Sequence, residues 1–119
     1  MICIISVIEK GDILGEKIKD ILGGDLILKS KIKNFKLDSI TKKCFEKYNS
    51  IIFISSTGIA VRAVSKYLVS KDKDPAVVVV DVCNKFSISL VSGHLGGANN
   101  LTLRVSEILG NIPVITTAT

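Results

Sequence analysis

Along the chain, short continuous apolar runs alternate with stretches in which apolar residues return every three or four positions. Runs at residues 2–8, 26–28, 51–54, 76–81, 86–91 and 113–116 have the length and β-branched content of strands, several of them buried on both faces. Between them, residues 12–22 place Ile13, Leu14, Ile18, Ile21 and Leu22 on one helical stripe that Gly23-Gly24 ends. Residues 38–48 repeat that spacing through Ile40, Cys44, Phe45 and Tyr48, and residues 59–68 through Val61, Val64, Tyr67 and Leu68. A last helix over 97–109 buries Ala98, Leu101, Val105 and Ile108, with Gly110-Asn111 closing it. The alternation predicts one α/β domain over 1–119, a Rossmann-like three-layer fold with a largely parallel sheet of five or six strands and helices on both faces.

One junction breaks the parallel pattern. Only Val82-Cys83-Asn84-Lys85 separates two strands, too few residues for a crossover, so a hairpin is expected although no Asn-Gly or Asp-Gly pair marks the turn. The sheet is therefore expected to be mixed in direction there. If the strand before the hairpin runs parallel to residues 51–54, the turns after residues 54 and 91 lie at opposite ends of the sheet.

Those two turns hold the candidate chemistry. The first, Ser55-Ser56-Thr57-Gly58-Ile59-Ala60-Val61-Arg62, leads from a buried strand into a helix. Its hydroxyls suit either helix capping or a carboxylate, and Arg62 either a solvated face or a bidentate grip on that carboxylate. The second, Leu90-Val91-Ser92-Gly93-His94-Leu95-Gly96-Gly97-Ala98-Asn99-Asn100, carries the chain's one histidine. Gly93, Gly96 and Gly97 let the backbone approach a ligand, and helix-opening amides favour an anion or a developing oxyanion. The same glycines are also required by a sharp turn alone, and His94 can be a packed or capping side chain. Asp81, ending its strand, is the leading carboxylate, with turn capping as the other reading. Thr116 and Thr117 close the last strand, either as ligand contacts or as ordinary strand formers.

Composition narrows the classes. Sixteen Lys and Arg against eleven Asp and Glu give a formal charge of +5, but aromatic residues are 5% of the chain and tryptophan is absent. Lysines without aromatic stacking platforms or a nucleic-acid motif point away from DNA and RNA, and residues 29–36 read as an edge strand blocked by lysines. A basic surface also suits an acidic small molecule. Three well-spaced cysteines indicate neither a disulfide framework nor a zinc site, and Cys3 and Cys44 read as core residues. No apolar run spans a bilayer and the first strand lacks the features of a secretory leader, so a cytoplasmic location without membrane contact is expected. Neither G-x-G-x-x-G, nor a P-loop, nor G-x-S-x-G occurs. A final strand followed by only three residues suggests a piece of a longer protein.

Four ordered blocks carry a family resemblance: Thr57-Gly58-Ile59 with Arg62, Asp74-Pro75-Ala76-Val77-Val78-Val79-Val80-Asp81, the stretch from Ser87 through Gly93-His94-Leu95-Gly96-Gly97 to Asn99, and Pro113-Val114-Ile115-Thr116-Thr117-Ala118-Thr119. Together they resemble the N-terminal region of the CbiG family, the cobalt-precorrin-5A hydrolases of cobalamin biosynthesis. The resemblance covers residues 55–119, while residues 1–49 match only in their α/β pattern. It departs at Val82-Cys83, where the family has an acidic residue after the aspartate, and at Ser65-Lys66, where it has Ala-Pro.

The resemblance implies a hydrolase that opens the δ-lactone of a carboxylate-rich cobalt tetrapyrrole and expels acetaldehyde as the ring contracts. The cobalt belongs to the substrate, so no cofactor or protein-bound metal is implied. His94 and Asp81 are then cast as catalytic, His94 as the base for water or, alternatively, as a ligand to the substrate's cobalt. Thr57, Gly58, Arg62, Ser92, Gly93, Gly96, Gly97, Asn99, Thr116 and Thr117 are cast as substrate-binding. The implied partner is a C-terminal domain of the same protein, with homo-oligomerisation left open. Two other readings stand beside this one, a tetrapyrrole-binding or assembly module without catalysis and a small-anion-binding α/β domain.

Overall fold

Every apolar run becomes a strand in the computed structural model, which describes residues 1–118. In chain order the elements are β1 (Ile2–Ser6), α1 (Asp12–Leu22), β2 (Asp25–Leu28), α2 (Leu37–Lys47), β3 (Ser50–Ile54), α3 (Thr57–Val64), β4 (Ala76–Val80), β5 (Phe86–Val91), α4 (Ala98–Leu109) and β6 (Ile112–Val114). The six strands form one sheet in the order β2-β1-β3-β4-β5-β6. All neighbours are parallel except β4 and β5. Because β6 is parallel to β5, the last two strands both run against the other four.

Alternation of side chains across the strands sorts the core into two layers. Ile4, Ile52, Ile54, Val78 and Val80 face α1 and α4, while Cys3, Ile5, Ile51, Phe53, Val77 and Val79 face α2 and α3. All of these side chains are fully buried, and each contributes roughly 1.5–3 kcal/mol of transfer free energy for a Val-, Ile- or Phe-sized group. That burial on both faces explains why these strands read as unbroken apolar runs. Beyond β4 the second layer thins: Phe86 on β5 and its register neighbour Ile112 on β6 remain 40% and 60% exposed.

The hairpin between β4 and β5 forms without the favoured turn pair. Instead the Asp81 carboxylate accepts from the backbone amides of Cys83 (3.1 Å), Lys85 (2.9 Å) and Phe86 (2.6 Å), while Asn84 takes the left-handed conformation, φ 56°, that asparagine tolerates. Asn84 also donates to the Leu109 carbonyl and accepts from Asn111, which fastens the hairpin to the end of α4.

Three expectations shift. The helix expected over 59–68 begins at Thr57, because Ser56 is its cap and accepts from the Ile59 amide, and it tightens after Val64 into a 3-10 turn over Ser65–Tyr67. Its buried stripe is accordingly Ala60, Ala63 and Val64, leaving Val61 43% exposed. On α1, Leu14, Gly15 and Ile18 are buried whereas Ile13 and Ile21 point outward. Residues 29–36 are not an edge strand. Lys29–Lys31 make a 3-10 turn in which Ser30 donates to the Asp12 carboxylate, and the lysines after it lie in an exposed connection.

Candidate functional site

Strand direction decides which turns meet. β3 and β4 end on one side of the sheet, and β5, running against β4, delivers its following turn to the other. There Val91 lies opposite Val77, so the segment preceding β4 comes alongside the turn after β5. A cleft of about 510 Å³ opens at this end, within the range of small-molecule sites. Ser92, Gly93 and His94 form one wall, Asn99 at the start of α4 and Thr116 and Thr117 beyond β6 form another, and Lys71 lines it from the connection before β4.

The turn is built by folding back on itself. Ser92 takes a left-handed φ of 58° and donates from its hydroxyl to the Asp74 carbonyl at 3.3 Å. The Ala98 and Asn99 amides, the first two of α4, donate to the carbonyls of Ser92 and Gly93 at 3.1 and 2.9 Å. Such a close return requires glycine at 96, where a Cβ would lie 2.4 Å from the Ser92 Cβ and 2.8 Å from its carbonyl oxygen. Gly97 caps α4 with φ 87°, a left-handed conformation costly to any residue with a Cβ. Two helix-opening amides are thus used internally, while those of Leu95, Gly96 and Gly97 donate to no protein acceptor among the described residues.

Asn99 holds the cleft walls together. Its amide oxygen accepts from Ser89 on β5 at 2.7 Å, and its amide nitrogen donates to Thr117 at 2.8 Å. A Cβ on Gly93 would stand 2.8 Å from that same oxygen, so Gly93 leaves room for the tie. His94 sits exposed at the rim, and it and Lys71 are the cleft's two basic side chains. Among the described residues, no group of three His, Cys, Asp or Glu side chains could hold a metal ion.

Of the residues expected from sequence, Ser92, Gly93, His94, Asn99, Thr116 and Thr117 come together at this cleft, and Gly96 and Gly97 shape the turn without lining it. Thr57, Gly58, Arg62 and Asp81 do not join them. The β3 turn lies at the opposite end of the sheet, where Ser56 caps α3, and Arg62 flanks a shallow depression between α2 and α3 with Asp38 and Lys66. Asp81 is also at that far end, its carboxylate occupied by the three hairpin amides. Sequence reasoning missed Lys71. The signal was the hairpin itself, which pairs residues just after 71–75 with the residues just before His94.

Comparison with known proteins bears on the same region. A family model described as cobalamin synthesis G N-terminal matches residues 39–119. The cobalt-precorrin-5A hydrolase of Salmonella typhimurium is 51% identical over 78 residues, covering 66% of this chain and 22% of that protein. The protein of the same name from Priestia megaterium is 50% identical over 74 residues, covering 62% of this chain and 20% of its own length. A crystal structure of a cobalamin biosynthesis protein G homolog from Sulfolobus solfataricus superposes with a TM-score of 0.76 at 32% identity, over 97% of this chain and 36% of that one. This chain spans about a fifth of the length of the two hydrolases it matches.

Proposed function

Because this chain belongs to the cobalamin synthesis G N-terminal family, we propose that it is the N-terminal domain of a cobalt-precorrin-5A hydrolase and that the cleft beside His94 receives the substrate. The observation that carries this reading is that every residue lining the cleft falls within the family-matched stretch. On this reading the ligand is a cobalt-bearing tetrapyrrole with several carboxylates. The protein works in the cytoplasm, and the rest of the hydrolase polypeptide is its partner; among the described residues no helix is long and apolar enough to cross a membrane.

Each group then has a task. Neutral His94 takes a proton from the water that adds to the lactone carbonyl. The amides of Leu95, Gly96 and Gly97, which have no acceptor among the described residues, are the donors available to the oxyanion formed in that step. Lys71 pairs with a substrate carboxylate, the task that Arg62 held on sequence grounds and cannot perform from the other end of the sheet. Ser92 and Asn99 act indirectly, because both side chains are hydrogen-bonded to the protein and hold the walls in register.

A second reading is favoured by the absence of a carboxylate among the described residues lining the cleft and by its open rim: the domain grips substrate while groups elsewhere in the polypeptide complete the chemistry. Anaerobic incubation of cobalt-precorrin-5A with the full hydrolase polypeptide and with this chain, following acetaldehyde and the corrinoid spectrum, separates the two. Acetaldehyde release that His94→Ala abolishes while substrate binding persists is the expected result. Unchanged turnover in His94→Ala leaves the binding role only, and no acetaldehyde from the full polypeptide rejects the hydrolase assignment.

A further inference from the structure

Away from the cleft, two thiols meet in the core beneath α2. Cys3 on β1 and Cys44 on the last turns of α2 bring their Sγ atoms to 3.2 Å, with 0% and 1% exposure. Neither takes part in the chemistry proposed for His94. We propose that Cys3 and Cys44 form an oxidisable pair, closed to a disulfide by a hydroperoxide, that cross-links α2 to the sheet.

Geometry comes first. Bonded sulfurs lie about 2.05 Å apart, so closure asks for roughly 1 Å of approach. Reactivity is directional as well. In the closed pair the Cys44 thiol donates to the Cys3 sulfur at 3.2 Å. Cys44 rides on α2, the element that opens, so it is the thiol that meets the peroxide first.

Its thiolate attacks one oxygen of hydrogen peroxide, breaking the O–O bond and, with a proton taken up, leaving water and a sulfenic acid. The Cys3 sulfur then attacks the Cys44 sulfur, the S–O bond breaks, and a second water leaves with the thiol proton. Two thiols and one peroxide become one disulfide and two waters, the two electrons passing from sulfur to oxygen. A peroxide reaches the pair when α2 opens locally. That helix buries only Thr41 and Cys44 fully and has no side-chain cap at Lys36. In a reducing compartment the dithiol is the resting form, and the cross-link records oxidative exposure.

The test uses Cys83→Ser, which removes the exposed third thiol. The folded variant is incubated with hydrogen peroxide, up to temperatures just below its melting transition, then denatured, alkylated and digested. A peptide linking Cys3 to Cys44, a mass lower by two hydrogens, and a melting temperature raised by about 5–10 °C and restored by a reductant are expected. Two alkylated thiols, or singly oxidised cysteines without the linked peptide, overturn the proposal. Cys44→Ala in the same background must show no peroxide-dependent rise in melting temperature; a rise there also overturns it.

Discussion

Around Ser92 the backbone crosses itself so closely that individual atoms decide what is tolerated. Gly96→Ala forces a Cβ against the Ser92 backbone, which cannot swing aside as a flexible side chain would, and is expected to cost about 2 kcal/mol in chemical denaturation. Gly97→Ala meets open space and carries only the penalty of a left-handed φ, about 1 kcal/mol. Equal costs for the two would mean that the turn relaxes. His94 is exposed, so His94→Ala should change stability by less than about 0.5 kcal/mol, and any loss of turnover belongs to the site. Asp81→Ala strips three hairpin amides of their acceptor and should cost about 1–3 kcal/mol in the same denaturation measurement, with ligand binding at the far end unaffected.

Between elements, the clearest electrostatic brace joins α2 to the 3-10 turn after α3. Asp38 accepts from the Tyr67 hydroxyl at 2.6 Å and pairs with Lys66 at 2.9 Å, which together hold its carboxyl below the ordinary value, while Tyr67 and Lys66 are raised by the same contacts. A carboxyl lowered on folding adds stability above its unfolded value near 4, and that stability is lost as pH falls through the folded value. Since the groups are exposed, salt weakens the effect. An NMR titration should find Asp38 below the usual carboxylate range, and Tyr67→Phe should move it upward; no movement would remove the phenol as the main cause. Periodicity revealed that each helix exists, but not its phase. Ser56 sets the start of α3, while packing in the core layer beside β3 and β4 turns Ala60 inward and leaves Val61 outward, a choice that hydrophobic spacing does not register.

For the molecule as a whole, the separation of the two turns yields a discriminating experiment. Lys71→Gln should weaken binding of a carboxylate-rich corrinoid by roughly fivefold, about 1 kcal/mol, whereas Arg62→Gln should leave it unchanged; the reverse would put the ligand at the β3 end. The affinity should also fall with salt, as screening of an open, basic cleft requires. From sequence alone came the strands, the helices, the reversal at residues 82–85 and the glycine-dependent turn at His94, because burial periodicity and backbone permissiveness are properties of neighbours along the chain. Only the tertiary structure decided that Thr57, Arg62 and Asp81 stand apart from His94, that Lys71 stands beside it, and that Cys3 meets Cys44. Those relations depend on strand direction and layer packing, which bring together residues far apart in the chain and separate turns that local pattern makes look alike.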